Sequence, residues 1–105
     1  MSGSYQFVFE PHIALANAEM SLHLAMFAVE GLAGRVQVRL GAHYRVDAVK
    51  HAIAIDGGNR VGRLIAKVFA GLLLREFGEE DFQVERVRFP NELSVSAQTT
   101  EEAKA

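Results

Sequence analysis

At 105 residues, half of them hydrophobic and 23% charged, the chain has the size and composition of one globular domain and no room for a second. Its formal net charge of −2 gives no molecule-wide attraction to phosphate backbones or anionic lipid, so neither a nucleic acid nor a membrane is an expected partner. The lack of cysteine excludes disulfides, thiolate metal sites and a cysteine nucleophile; with no signal-like start and no uninterrupted apolar span, the expected location is cytoplasmic.

Tyr5, Phe7 and Phe9 alternate with Gln6, Val8 and Glu10, the two-residue period of a half-buried strand. Pro11 suits the first turn of a helix, where its fixed φ fits and its missing N–H is not needed. The spacing predicts a helix from about His12 to Leu32, stopped by Gly31 and Gly34. Alternation returns at Arg35, with Val36, Val38, Leu40, Tyr44 and Val46 on one side and Gln37, Arg39, His43 and Arg45 on the other. That pattern predicts a second strand, bent at Gly41. Residues Asp47 to Lys50 would turn the chain, although Ala48 and Val49 are poor turn formers, into a third strand from His51 to Asp56 with Ile53 and Ile55 inward.

Asp56, Gly57, Gly58 and Asn59 form a strong breaker ending on a good N-cap. The helix they introduce, Arg60 to Phe77, repeats apolar residues at Val61, Ile65, Val68 and Leu72 and ends at Gly78. A fourth strand runs from Phe82 to Phe89, Pro90 closes it, and residues 91–105 form a polar tail beyond a single domain of residues 1–90. Strand, helix, strand, strand, helix, strand predicts an α+β fold, a ferredoxin-like βαββαβ sandwich with both helices on one face of a four-stranded antiparallel sheet. Right-handed crossovers would centre the first and third strands. The open face would then show Val8, Ala52 and Ala54 in the middle, with Gln37, Arg39, His43, Gln83 and Glu85 toward its edges.

Four groups of residues could carry function. Gly57, Gly58 and Asn59 lead into a helix N-terminus followed by Arg60, Arg63 and Lys67, where free N–H groups and nearby cations could seat a phosphate or carboxylate; the structural alternative is that the glycines serve only the turn and close helix packing. Neither a Walker A spacing nor a dinucleotide fingerprint is present. Arg60, Arg63, Lys67 and Arg75 also fall on one third of that helix, as a basic stripe or an ordinary solvated face. On the first helix His12, Glu19, His23 and Glu30 line up, and Glu19 and His23, four residues apart, could pair or jointly hold a metal, but no third and fourth ligand converge on those two, so no metal and no cofactor is expected. Ala14, Ala18, Ser21, Ala25 and Ala28, with Leu22 beside them, form a small-residue seam suited to close packing against the sheet, another helix or another subunit.

No serine has a base or motif beside it, so no catalytic residue is assigned. The leading expectation is a non-catalytic interaction or oligomerisation module of adaptor or scaffold type, using its unusually apolar first helix or the open sheet face to hold a protein partner or its own copies. The alternatives are an anion- or nucleotide-binding regulatory domain built on Gly57 to Arg63, and a small dimeric α+β barrel enzyme with a pocket around His43, Arg39 and Arg45.

Overall fold

A computed structural model describes residues 3–88. In chain order the elements are β1 (Gly3–Phe9), α1 (Leu15–Ala33), α2 (Arg35–Gly41), β2 (Tyr44–Asp47), β3 (Ala52–Asp56), α3 (Arg60–Glu76) and β4 (Phe82–Arg88). The fold is α+β, with three helices and one four-stranded sheet of order β2-β3-β1-β4 in which every neighbouring pair is antiparallel. β1 and β3 occupy the centre, as the sequence suggests. The tail expected over residues 91–105 lies outside the described residues.

The predicted second strand is where sequence and structure part. Arg35 to Gly41 is helical, and only Tyr44–Asp47 joins the sheet. Gly34, at φ 95°, ends α1 with its N–H on the Glu30 carbonyl, and its own carbonyl then receives the Val38 N–H to start a new helix. That backbone conformation is one glycine adopts without a Cβ penalty. Of the alternating apolar residues Val38 alone is buried, while Val36 and Leu40 are exposed. α1 also begins later than Pro11 suggests. The Ile13 N–H returns to Glu10, and the Ile13 carbonyl takes a hydrogen bond from the His51 ring at 2.6 Å, so Pro11 to Ala14 form a turn instead.

Alternation along the strands sorts the two sheet faces. Phe7 and Phe9 of β1, Ile53 and Ile55 of β3 and Phe82 of β4 share one core with Ala18, Leu22, Ala25 and Val29 of α1, Val38 of α2, and Val61, Ile65, Ala66, Phe69 and Leu73 of α3. The rings of Phe7 and Phe69 meet at 4.7 Å between centroids, tilted by 59°, a favourable aromatic arrangement. On the other face Val8, Ala52 and Ala54 lie centrally, with Gln83 and Glu85 paired beside β1. Gln37 and Arg39 belong to α2, so the expectation that these two edge the open face is corrected by the extra helix, while His43 lies at the sheet edge, its carbonyl accepting the Asp56 N–H.

The turn between β2 and β3 is made by residues that look unsuited to it. The Asp47 carboxylate accepts the Lys50 N–H at 3.0 Å, and His51 takes φ 56°, a left-handed conformation that histidine tolerates better than most non-glycine residues. The His51 carbonyl then receives the Phe9 N–H, tying the turn to the end of β1.

Candidate functional site

The outward face of α1 is the first candidate. Its inward face is the small-residue seam, and Ala18, Ser21, Leu22 and Ala25 are fully enclosed within the protomer. These four therefore cannot form a surface interface, which corrects the expectation that they might; the seam is spent on internal packing against α3 and the sheet. Ala14 and Ala28 are exposed and remain available. The opposite side of α1 carries Met20, Leu24 and Phe27, which are 65%, 57% and 72% exposed, followed by Gly31. Their spacing of four, three and four residues is the heptad seam of a helix that packs on another helix. The exposed residues of α1 from Leu15 onward are Ala16, Asn17, Met20, His23, Leu24, Phe27, Ala28, Gly31 and Leu32, and none is a carboxylate, lysine or arginine. A helix that is apolar on both sides has more hydrophobic surface than one sheet can cover. Sequence reasoning found the surplus but took the small seam for its location; the 20-24-27-31 spacing was legible beside it.

One flank of this seam holds a polar cluster. The Tyr44 hydroxyl lies 3.0 Å from His23 Nε2 and donates to Glu19 Oε2 at 3.3 Å, while His23 and Glu19 themselves are 4.0 Å apart. Partial burial, and secondarily the Glu19 charge beside it, hold the Tyr44 phenol above its ordinary range. The expected alignment of His12 with this row ends in a different contact, since His12 reaches Asp81, just before β4, at 3.4 Å. Among the described residues no group of three or more His, Cys, Asp and Glu side chains converges as a metal site.

The second candidate is the edge where α3 meets β1 and β4. Arg60, Arg63 and Lys67 line an open groove of about 300 Å³ with Tyr5 and Leu64. An adjoining groove of about 220 Å³ adds Phe7, Ala66, Ala70 and Val84 to Tyr5, Arg63 and Lys67. The Arg86 guanidinium sits 4.7 Å from the centre of the Tyr5 ring, a cation–π contact. No salt bridge to Arg60, Arg63, Lys67 or Arg86 forms among the described residues.

The glycine turn itself is occupied internally. The Gly58 N–H goes to the Asp56 carboxylate at 2.9 Å, the Gly57 N–H to the Gly3 carbonyl, and the Gly62 N–H to Asn59 Oδ1 at 2.8 Å. Asn59 also donates to the Gly41 carbonyl at 3.0 Å, and Arg63 to the Gly57 carbonyl at 3.2 Å. Gly62 is required for another reason, because a Cβ there would overlap the Asp56 carbonyl oxygen. Three of the donors that an anion would use thus already hold the turn and cap α3. Arg39 lies on α2, apart from the strand expected to carry it, while Arg45 is on β2 and His43 just before it, with the His43 carbonyl accepting the Asp56 N–H at 2.8 Å.

No family model matches the chain, and no curated protein or solved structure matches it significantly. No helix among the described residues is long and apolar enough to cross a membrane.

Proposed function

We propose that the chain is a non-catalytic association module of adaptor or scaffold type whose docking surface is the outward face of α1. The observation that carries this reading is the seam of Met20, Leu24, Phe27 and Gly31, three large apolar side chains more than half exposed at the spacing helices use to pack together. Covering a side chain of this size is worth on the order of 1 to 2 kcal/mol for the portion now exposed. Phe27→Cys would supply the only thiol of a chain that has no cysteine. Its maleimide labelling, in lysate and in dilute purified protein, is compared with that of Val49→Cys on the exposed β2–β3 turn. Shielding at position 27 in the lysate with free reaction at position 49 supports the reading, and free reaction at both in both states removes it.

The order β2-β3-β1-β4, antiparallel throughout, supports reading the frame as a ferredoxin-like sandwich to which α2 has been added. The fold hosts unrelated activities and lends none to this chain.

A second reading, an anion- or nucleotide-binding regulatory domain, is favoured by the grooves around Tyr5. In this reading Arg60, Arg63 and Lys67 hold the anion from the side, and the Gly57–Asn59 turn positions α3 without touching it. Thermal shift against inorganic phosphate and nucleotides tests it, since a ligand at a hundred times its dissociation constant adds about 2.7 kcal/mol of stability. No shift, in the wild type or with all three cations replaced by glutamine, removes this reading.

A further inference from the structure

The seam on α1 narrows its own occupant, and on the association reading above we propose that it is a second copy of this chain, with the two α1 helices antiparallel about a two-fold axis between Leu24 and Phe27. Shape is the first argument. In that register Leu24 faces the second copy's Phe27, and Met20, the most extended side chain of the row, faces the second copy's Gly31, where nothing within 4 Å would hinder even an added Cβ. Large against small at both ends of the seam closes it without a void. A parallel pair would set Gly31 against Gly31 and leave a gap at one end.

Charge is the second. Glu19, His23 and Glu30 lie along one flank of the seam, by the 100° per residue of an α-helix. Antiparallel pairing brings His23 beside the second copy's Glu30, twice by symmetry, whereas a parallel two-fold pair sets this flank against the second copy's Ala28 side and gives neither His23 nor Glu30 a polar partner. The seam itself has no charge to bury. A like copy meets no repulsion there.

Area is the third. Met20, Leu24 and Phe27 with Ala16, Ala28 and Gly31 between them offer roughly 500 Å² per protomer, so a two-fold pair covers about 1,000 Å², the threshold of a specific interface and well below an obligate one. The expected assembly is thus a dimer that dissociates on dilution.

Light scattering on the wild-type protein at high micromolar concentration should give twice the mass of one chain, falling to one chain on dilution. Phe27→Glu should hold the protein monomeric with the melting temperature of the dilute, dissociated wild type, because Phe27 is exposed in the protomer. Orientation is read from disulfides. Met20→Cys and Gly31→Cys should each stay uncrosslinked alone under oxidation and crosslink when mixed; both positions are open to solvent and tolerate the change. Crosslinking of Met20→Cys with itself would overturn the antiparallel arrangement while leaving association standing. A purified chain that is monomeric at every concentration, with its position 27 shielded only in lysate, would overturn the second copy and leave docking to another protein. A dimer that forms only after truncation beyond Glu92 would give the seam to the chain's own C-terminal segment, and also overturns the proposal.

Discussion

Gly62 shows how much of the local architecture can hang on one hydrogen atom. It sits in the first turn of α3, its N–H bonded to the capping Asn59, with the Asp56 carbonyl where a side chain would begin. Gly62→Ala must therefore push β3 and α3 apart or break the cap, and the expected cost is about 2 to 4 kcal/mol, measured by chemical denaturation, instead of the small gain that alanine usually brings inside a helix. Tyr44 offers a test of a different kind. Its phenol is held above the ordinary value of 10.0 by burial and by Glu19, so the folded state keeps the proton more tightly than the unfolded chain does. The stabilising share is complete below the unfolded pKa and is lost as pH rises through the higher folded one. Stability should fall across the alkaline range above roughly pH 10, and Tyr44→Phe should flatten that fall in denaturation curves recorded on both sides of it.

At the scale of single elements, α1 separates two apolar faces that composition alone merges. Ala18 and Ala25 are enclosed against α3 and the sheet, so Ala18→Leu or Ala25→Leu should cost roughly 1 to 3 kcal/mol by overpacking. Leu24→Ala on the outer face should leave the isolated protomer within about 0.5 kcal/mol of wild type, as surface substitutions do. Equal effects at 24 and 25 in a thermal melt would mean that the two faces are not distinct. The inner face was legible in the sequence because its small residues recur at helical spacing. α2 was not legible, for a physical reason that can be located. Val36 and Leu40 satisfy both a two-residue and a four-residue period, and Val38 alone decides between them; β-branched side chains then tip the reading toward a strand. What settled it was the carbonyl of Gly34, which starts a second helix immediately after closing the first. The β2–β3 turn was anticipated in place but not in chemistry, since Ala48 and Val49 gave no hint that Asp47 and His51 would do the turning.

The candidate site was half legible. The basic residues Arg60, Arg63 and Lys67 are exposed on α3, where helical spacing puts them, but their common neighbour is Tyr5, which lies 55 residues before the first of them and which no local pattern could connect to them. Glu19 and His23 could be paired from their four-residue spacing, whereas Tyr44 reaches them only through the sheet edge. For the whole molecule, the sheet is completed by β4 pairing with β1 from Phe82 to Arg88. Truncation after Glu92 should leave the melting temperature within roughly a few degrees of the full chain, because few apolar residues lie beyond that point. A large drop in a calorimetric scan would show that Leu93 to Val95 contributes to the fold.

The pairing of Gly3 with Arg88 also sets the order in which the molecule can be finished. The Ser4 hydroxyl donates to the Val87 carbonyl at 3.3 Å across 83 residues of chain, so the first of the described strands is completed by the last of them. At synthesis rates of about 5 to 20 residues per second, β1 waits several seconds with one edge and its Phe7 and Phe9 side chains without their β4 neighbours. During that interval β3 can pair with one side only, and the open side is a strand edge of the kind that recruits other chains. A permuted gene that joined the ends of this sequence and opened at the exposed Val49 would bring β4 and β1 closer along the chain while separating β2 from β3 by almost its whole length. Such a chain would close the β1–β4 pair early and leave the β2–β3 pair for last.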